Sequence, residues 1–143
     1  MGYRTRNYAK SKIIRSEETK GTEDRMEKGY HKLLVWQKAR ELVKLIYHHT
    51  KAFPRSEEFG LQSQLRRAVV SIVLNIVEGY RRNSTRDYCH FLNIADASLS
   101  EVEAALELAL DLEYLTKETY EIVENKRKEV GYLLFKLIQS LRK

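Results

Sequence analysis

One cysteine, one proline and six glycines are all that 143 residues contain of the types that staple or break a chain. Cys89 has no second thiol to pair with, which fits a reducing, cytoplasmic setting. With Pro54 the only proline, long helices are expected rather than a loop-rich β fold. No apolar run approaches the length of a bilayer span. The N-terminus is charged and lacks the apolar region of a signal peptide. Metal ligands are sparse too. His31, His48, His49 and His90 are scattered, adjacent residues diverge by about 100° on a helix, and no Glu-x-x-His pair of the di-iron bundle type occurs. Cys89 and His90 diverge in the same way. Ser71, Ser98 and Ser100 fall inside helical patterns with no strained turn around them, and there is no glycine-rich phosphate loop. No catalytic residue, no metal and no cofactor is therefore expected.

What the chain does have is helical periodicity and positive charge. The net charge is +6, unevenly distributed. Residues 1–32 hold nine Lys/Arg against five Asp/Glu, and residues 33–83 hold nine against four. Residues 84–115 hold Arg86 alone against seven acids, and residues 116–143 hold seven bases against four acids. A molecule polarised in this way can present a cationic face to nucleic acid. The same pattern also suits head-to-tail contacts between copies of the chain.

Residues 1–32 are polar and aperiodic, so a loose or flexible arm is expected there, with 33–143 as one domain. A first helix should run from Leu34 to Ala52, with Trp36, Ala39, Leu42, Val43, Ile46 and Thr50 on one stripe. Pro54 ends it, and Phe53 and Phe59 should close that end of the core. A second helix should start at Ser56 as N-cap, with Glu57 and Glu58 in its first turn, and run to Tyr80. It is apolar on more than one face, which belongs in the middle of a bundle. A third helix should follow the Ser84-x-x-Asp87 cap and reach Leu115, with heptad-like spacing from Tyr88 to Ala109. A fourth, capped by Thr116, should carry Tyr120, Val123, Val130, Leu134, Leu137 and Leu141. Its middle, Glu124 to Glu129, is polar all round and should project or fray. The connections are short, so neighbours must run antiparallel. The expected fold is all-α, an antiparallel up-down-up-down four-helix bundle with a polar N-terminal arm.

Polar residues set into the second helix are the candidates for something beyond packing. Asn75 and Glu78 lie three apart, with Ser71 one turn before Asn75. Buried groups of this kind fix register or partner number in helical assemblies, or line a polar pocket. Glu78 should pair with Arg82, or with Arg67 of a neighbouring copy. Ser98, Glu101 and Glu103 form an acidic patch on the third helix, with Glu101 a partner for an arginine of the second. Three cationic clusters remain: Arg66-Arg67, Arg81-Arg82 with nearby Arg86, and Lys126-Arg127-Lys128. Tyr80 and Tyr88 flank the second cluster, an arrangement that suits phosphate contact with base stacking. The competing reading is a protein-protein interaction scaffold with no nucleic-acid ligand, in which these bases pair with carboxylates within or between subunits.

The order and spacing of many short motifs resemble one family. Trp36-x-x-Ala39, Phe53-Pro54, Glu58-Phe59-Gly60-Leu61, Ser63-Gln64-Leu65-Arg66-Arg67-Ala68, Asn75-Ile-x-Glu78-Gly79 and Ser98-Leu99-x-Glu101 are similar to the four-helix-bundle protein of the 23S ribosomal RNA intervening sequence. The likeness runs from about Leu33 to the C-terminus. Val73 stands where the family often has proline, and Ala97 where it often has glycine. The resemblance implies a bacterial, non-enzymatic homo-oligomer, commonly a pentameric ring, associated with ribosomal RNA insertions. More distantly the chain resembles the accessory variability determinant bundle of retroelements, which uses a basic surface to hold RNA.

Overall fold

The computed structural model describes residues 29–143. Four helices account for most of them: α1 (Leu34–Thr50), α2 (Leu61–Tyr80), α3 (Thr85–Asp111) and α4 (Lys117–Leu141). Two short 3-10 turns, Gly29–Lys32 and Arg55–Glu57, complete the described secondary structure, which contains no strand. Most of the expected arm lies outside the described residues. Its last four residues form the first 3-10 turn, where Tyr30 packs edge-on against Trp36 and Tyr80.

The apolar stripes meet in one core. α1 contributes Trp36, Ala39, Leu42 and Ile46, and α2 contributes Leu65, Val69, Ile72 and Ile76. From α3 come Tyr88, Leu92, Ala95, Leu99, Val102, Leu106 and Ala109, and from α4 Val123, Val130, Leu134, Leu137 and Leu141. Burying each of the larger aliphatic side chains contributes about 1.5–3 kcal/mol. Cross-helix contacts fix the direction of each helix. Lys38 and Glu41 of α1 meet Glu129 and Lys126 of α4. Ser71 meets Ser98 and Tyr80 meets Tyr88, while Arg127 meets Glu103 and Gly131 lies beside Leu99. In each helix pair the two contacts run in opposite chain order, so the bundle is up-down-up-down.

Four expectations need correction. α2 begins at Leu61 rather than after Ser56, because Gly60 adopts a non-helical φ of −109° and ψ of −118°. Ser56 sits in the preceding 3-10 turn. The cap comes from Glu57, whose Oε1 accepts the Leu61 N–H at 3.0 Å. Phe53 is buried against Tyr114, but Phe59 is 92% exposed, because it lies on the outside of the turn that Gly60 closes. α3 stops at Asp111 rather than Leu115. There Glu113 takes a φ of 63°, its N–H donates to Leu110 O, and the Tyr114 N–H donates to Ala109 O. That is a Schellman C-cap with glutamate at the left-handed position usually given to glycine. The fourth correction concerns the polar middle of α4, which neither projects nor frays. The helix is continuous there, and Glu124 is only 8% exposed.

Candidate nucleic-acid interface

The three cationic clusters read alike along the chain, yet tertiary packing treats them differently. Arg66 is spent on structure. Its Nε donates to Thr50 Oγ1 at 2.9 Å and its Nη2 to the Tyr47 carbonyl at 3.3 Å, and its guanidinium lies 4.6 Å from the Tyr47 ring. It ties α2 to the last turn of α1. Arg67, one residue on, points outward and is exposed.

In the α4 cluster, Arg127 donates to both carboxylate oxygens of Glu124, at 2.8 and 2.5 Å, and reaches Glu103 of α3 at 2.6 Å. These charge-assisted bonds hold the Arg127 guanidinium above its ordinary pKa. Burial, together with Glu124 close by, raises the Tyr120 phenol. Lys126 bonds Glu41 at 3.1 Å and approaches Glu129 at 3.5 Å, and Lys38 joins the same carboxylates. The Lys126 ammonium holds Glu41 below the usual carboxylate value. Only Lys128 of this cluster faces away from the bundle, exposed.

The Arg81-Arg82 cluster sits at the end of the bundle where α2 stops and α3 starts. Arg82 pairs with Glu78 one turn back, as its spacing anticipates, and lies 4.8 Å above the Phe91 ring. Arg81 lies 5.6 Å from the Tyr30 ring. Both Arg81 and Arg86 are exposed, and among the described residues neither pairs with a carboxylate. A ring face holds a guanidinium without neutralising it, so the field of Arg81 remains at the surface.

Tyr80 and Tyr88 do not flank this cluster as stacking platforms. Tyr88 is wholly buried and Tyr80 nearly so, packed edge-to-face 6.2 Å apart. Their heptad positions turn them into the core. The rings that touch the arginines are Tyr30 and Phe91. Arg142, near the C-terminus of α4, also reaches this end, beside Cys89 of α3. Burial raises the Cys89 thiol, with Arg142 acting in the opposite sense, so this thiol is held protonated. Tyr30 and Arg142 were not singled out from the sequence. The signal for Arg142 was topological: an antiparallel α4 must end beside the start of α3.

Asn75 and Ser98 are joined by Ser71. Asn75 Nδ2 donates to the Ser71 carbonyl at 2.8 Å and to its hydroxyl at 3.0 Å, and the two serine hydroxyls are 2.9 Å apart. This chain of bonds satisfies polar groups at the α2–α3 contact. Outside it lies an open polar depression of about 290 Å³ whose lining includes Gln64, Arg67, Ser71, Ser98 and Glu101. An adjoining depression of about 340 Å³ is bordered by Tyr47, Val70 and Leu74. Leu74 is 61% exposed on this face. Arg67 and Glu101 border the same depression without an ion pair between them among the described residues.

No group of three His, Cys, Asp or Glu among the described residues is arranged to hold a metal ion. None of the described helices is long and apolar enough to cross a membrane.

Comparison with known proteins agrees with the fold. Among curated proteins none matches this sequence. Solved structures do, among them the crystal structure of a protein of unknown function from the S23 ribosomal protein family of Bacteroides thetaiotaomicron. It is 33% identical, with a TM-score of 0.67, over 73% of this chain and 98% of that one. The family model for the 23S rRNA-intervening sequence protein matches residues 31–136. A motif order legible in the sequence, a bundle that fits it and a match of this extent lead to one statement: the chain belongs to the 23S rRNA-intervening sequence protein family.

Proposed function

We propose that this protein is a non-enzymatic, cytoplasmic RNA-associated bundle that contacts ribosomal RNA through the basic end formed by Arg81, Arg82 and Arg86. The observation that carries the reading is the contrast in pairing. Arg81 and Arg86 keep their charge at the surface, whereas Lys126 and Arg127 are paired with carboxylates of the bundle. Arg142 adds a further cation to the same end from α4. Surface cations gathered at one end attract a polyanion and release its counterions on binding. The test is binding of labelled ribosomal RNA across a salt series. Affinity should fall steeply with salt, and Arg81→Glu with Arg82→Glu should lower the slope of log K against log salt by about 2. Binding that is absent, or indifferent to salt, overturns the reading.

Self-association into a ring belongs to the same proposal. Val70 and exposed Leu74 border one depression with Arg67 of α2, and Arg67 borders the adjoining one with Glu101 of α3, so an apolar patch adjoins opposite charges. A face of this composition suits a second copy. Leu74→Asp should turn the oligomer into monomers in sedimentation velocity. A monomeric wild-type protein would refute self-association while leaving the RNA reading intact.

A further inference from the structure

α4 presents a second surface that the basic end does not include. Tyr132 and Phe135 are 62% and 60% exposed, and among the described residues only Phe59 is a more exposed aromatic. They are three residues apart on one helix, so they are neighbours on its surface. Lys128 lies one turn before Tyr132 and Lys136 one turn after it, each about 6 Å along the axis. Among the described residues neither lysine pairs with a carboxylate. The acids that could have neutralised them face elsewhere. Glu129 is turned toward α1, where Lys38 and Lys126 hold it, and Glu124 is buried against Arg127. The outward face of α4 thus alternates cation, ring, ring, cation.

We infer that this face is a subsite for unpaired RNA, with Tyr132 and Phe135 stacking on bases and Lys128 and Lys136 holding the adjacent phosphates. Every base has a π-face, so stacking on exposed rings recognises single strands regardless of sequence. A duplex keeps its bases stacked inside and offers these rings nothing. Flanking lysines add the backbone contact that a purely apolar patch lacks. The face also runs toward the C-terminus of α4, where Arg142 joins the basic end. The inference deepens the RNA reading above by naming single-stranded segments as the target.

The experiment compares a uridine 12-mer with a 12-base-pair RNA duplex at fixed salt, by fluorescence anisotropy. Tyr132→Ala with Phe135→Ala should weaken 12-mer binding about tenfold or more and leave duplex binding unchanged. Lys128→Glu with Lys136→Glu should weaken the 12-mer comparably. Arg81→Glu with Arg82→Glu should weaken both ligands. Photo-crosslinking of a 4-thiouridine 12-mer to the unaltered protein should map to Tyr132 or Phe135, independently of any effect of substitution on folding. Two results overturn the inference: 12-mer binding indifferent to the aromatic pair with crosslinks elsewhere, or an aromatic variant that changes only oligomeric state. Arginine variants that bind both ligands normally, alongside an aromatic variant that loses the 12-mer, would sink the basic-end reading and leave this one standing.

Discussion

Arg81-Arg82, just past the end of α2, and Lys126-Arg127-Lys128, inside α4, are both short basic runs, yet the bundle puts them to opposite uses. At the end of α2, Arg81 rests on an aromatic ring with no carboxylate partner among the described residues, and Arg82 shares an exposed pair with Glu78. In the middle of α4, Arg127 is enclosed by Glu124 and Glu103, while Lys126 pairs nearer the surface with Glu41 and Glu129. The difference is burial. A charge taken out of water must be paired or the fold loses stability. A charge left at the surface gains little from pairing and stays available to a ligand. A basic run in a sequence is therefore a candidate interface only where the fold leaves it outside.

The largest expected effect tests the buried side of that contrast. Arg127→Ala leaves Glu124 buried without its partner and should destabilise the protein by about 3 kcal/mol in urea unfolding. Arg82→Ala, at its half-exposed pair, should cost under about 1 kcal/mol. Equal losses would erase the distinction. The available side is tested by affinity. Arg81→Glu with Arg82→Glu should weaken RNA binding by about tenfold or more at moderate salt, while Lys126→Ala should change it by less than about twofold.

The far end of the bundle supplies a control outside both clusters. Glu113 holds a left-handed φ that glycine adopts freely. Glu113→Gly should raise stability by about 1 kcal/mol without altering RNA affinity. A loss of stability would mean that the Glu113 side chain has a role the backbone does not explain.

The smallest effect is a pH dependence. Lys126 and Lys38 hold Glu41 below the ordinary carboxylate value. Its folded pKa is thus depressed relative to the unfolded chain. The stability it contributes is present above about pH 4.5 and is lost as pH falls through the lower folded value. Glu57 behaves the same way at the far end, held low first by the Leu61 N–H and then by the Tyr114 hydroxyl. Lys126→Ala should flatten the part of the acid limb that Glu41 contributes in thermal melts between pH 5 and pH 3, and Glu57→Gln should flatten the rest. An acid limb that Lys126→Ala leaves unchanged would remove Glu41 from the account.

Much of the fold was legible because helical periodicity is local. The stripes through Leu65–Ile76 and Tyr88–Ala109, the caps at Ser84 and Thr116 and the break before Pro54, which falls at Thr50, two residues earlier than the expected Ala52, all follow from residues within a few positions of one another. The start of α2 was not, because the Glu57 carboxylate caps it and Gly60 breaks the backbone before it, whereas Ser56 only looks like a cap in sequence. The site was legible in part. The Glu78–Arg82 pair and the Asn75–Ser71 bond follow from one-turn spacing on α2. The burial of Tyr80 and Tyr88, the arrival of Arg142 beside Cys89 and the enclosure of Glu124 depend on which helices meet at which level.

By itself the sequence determined four amphipathic helices, their antiparallel order and the family to which they belong, since short connections and apolar stripes leave no other arrangement that buries the stripes. Only the tertiary structure decided which charges are neutralised and which rings face outward. Ion pairing and exposure are set by atoms brought together across helices, and no spacing along one helix encodes its neighbour's side chains.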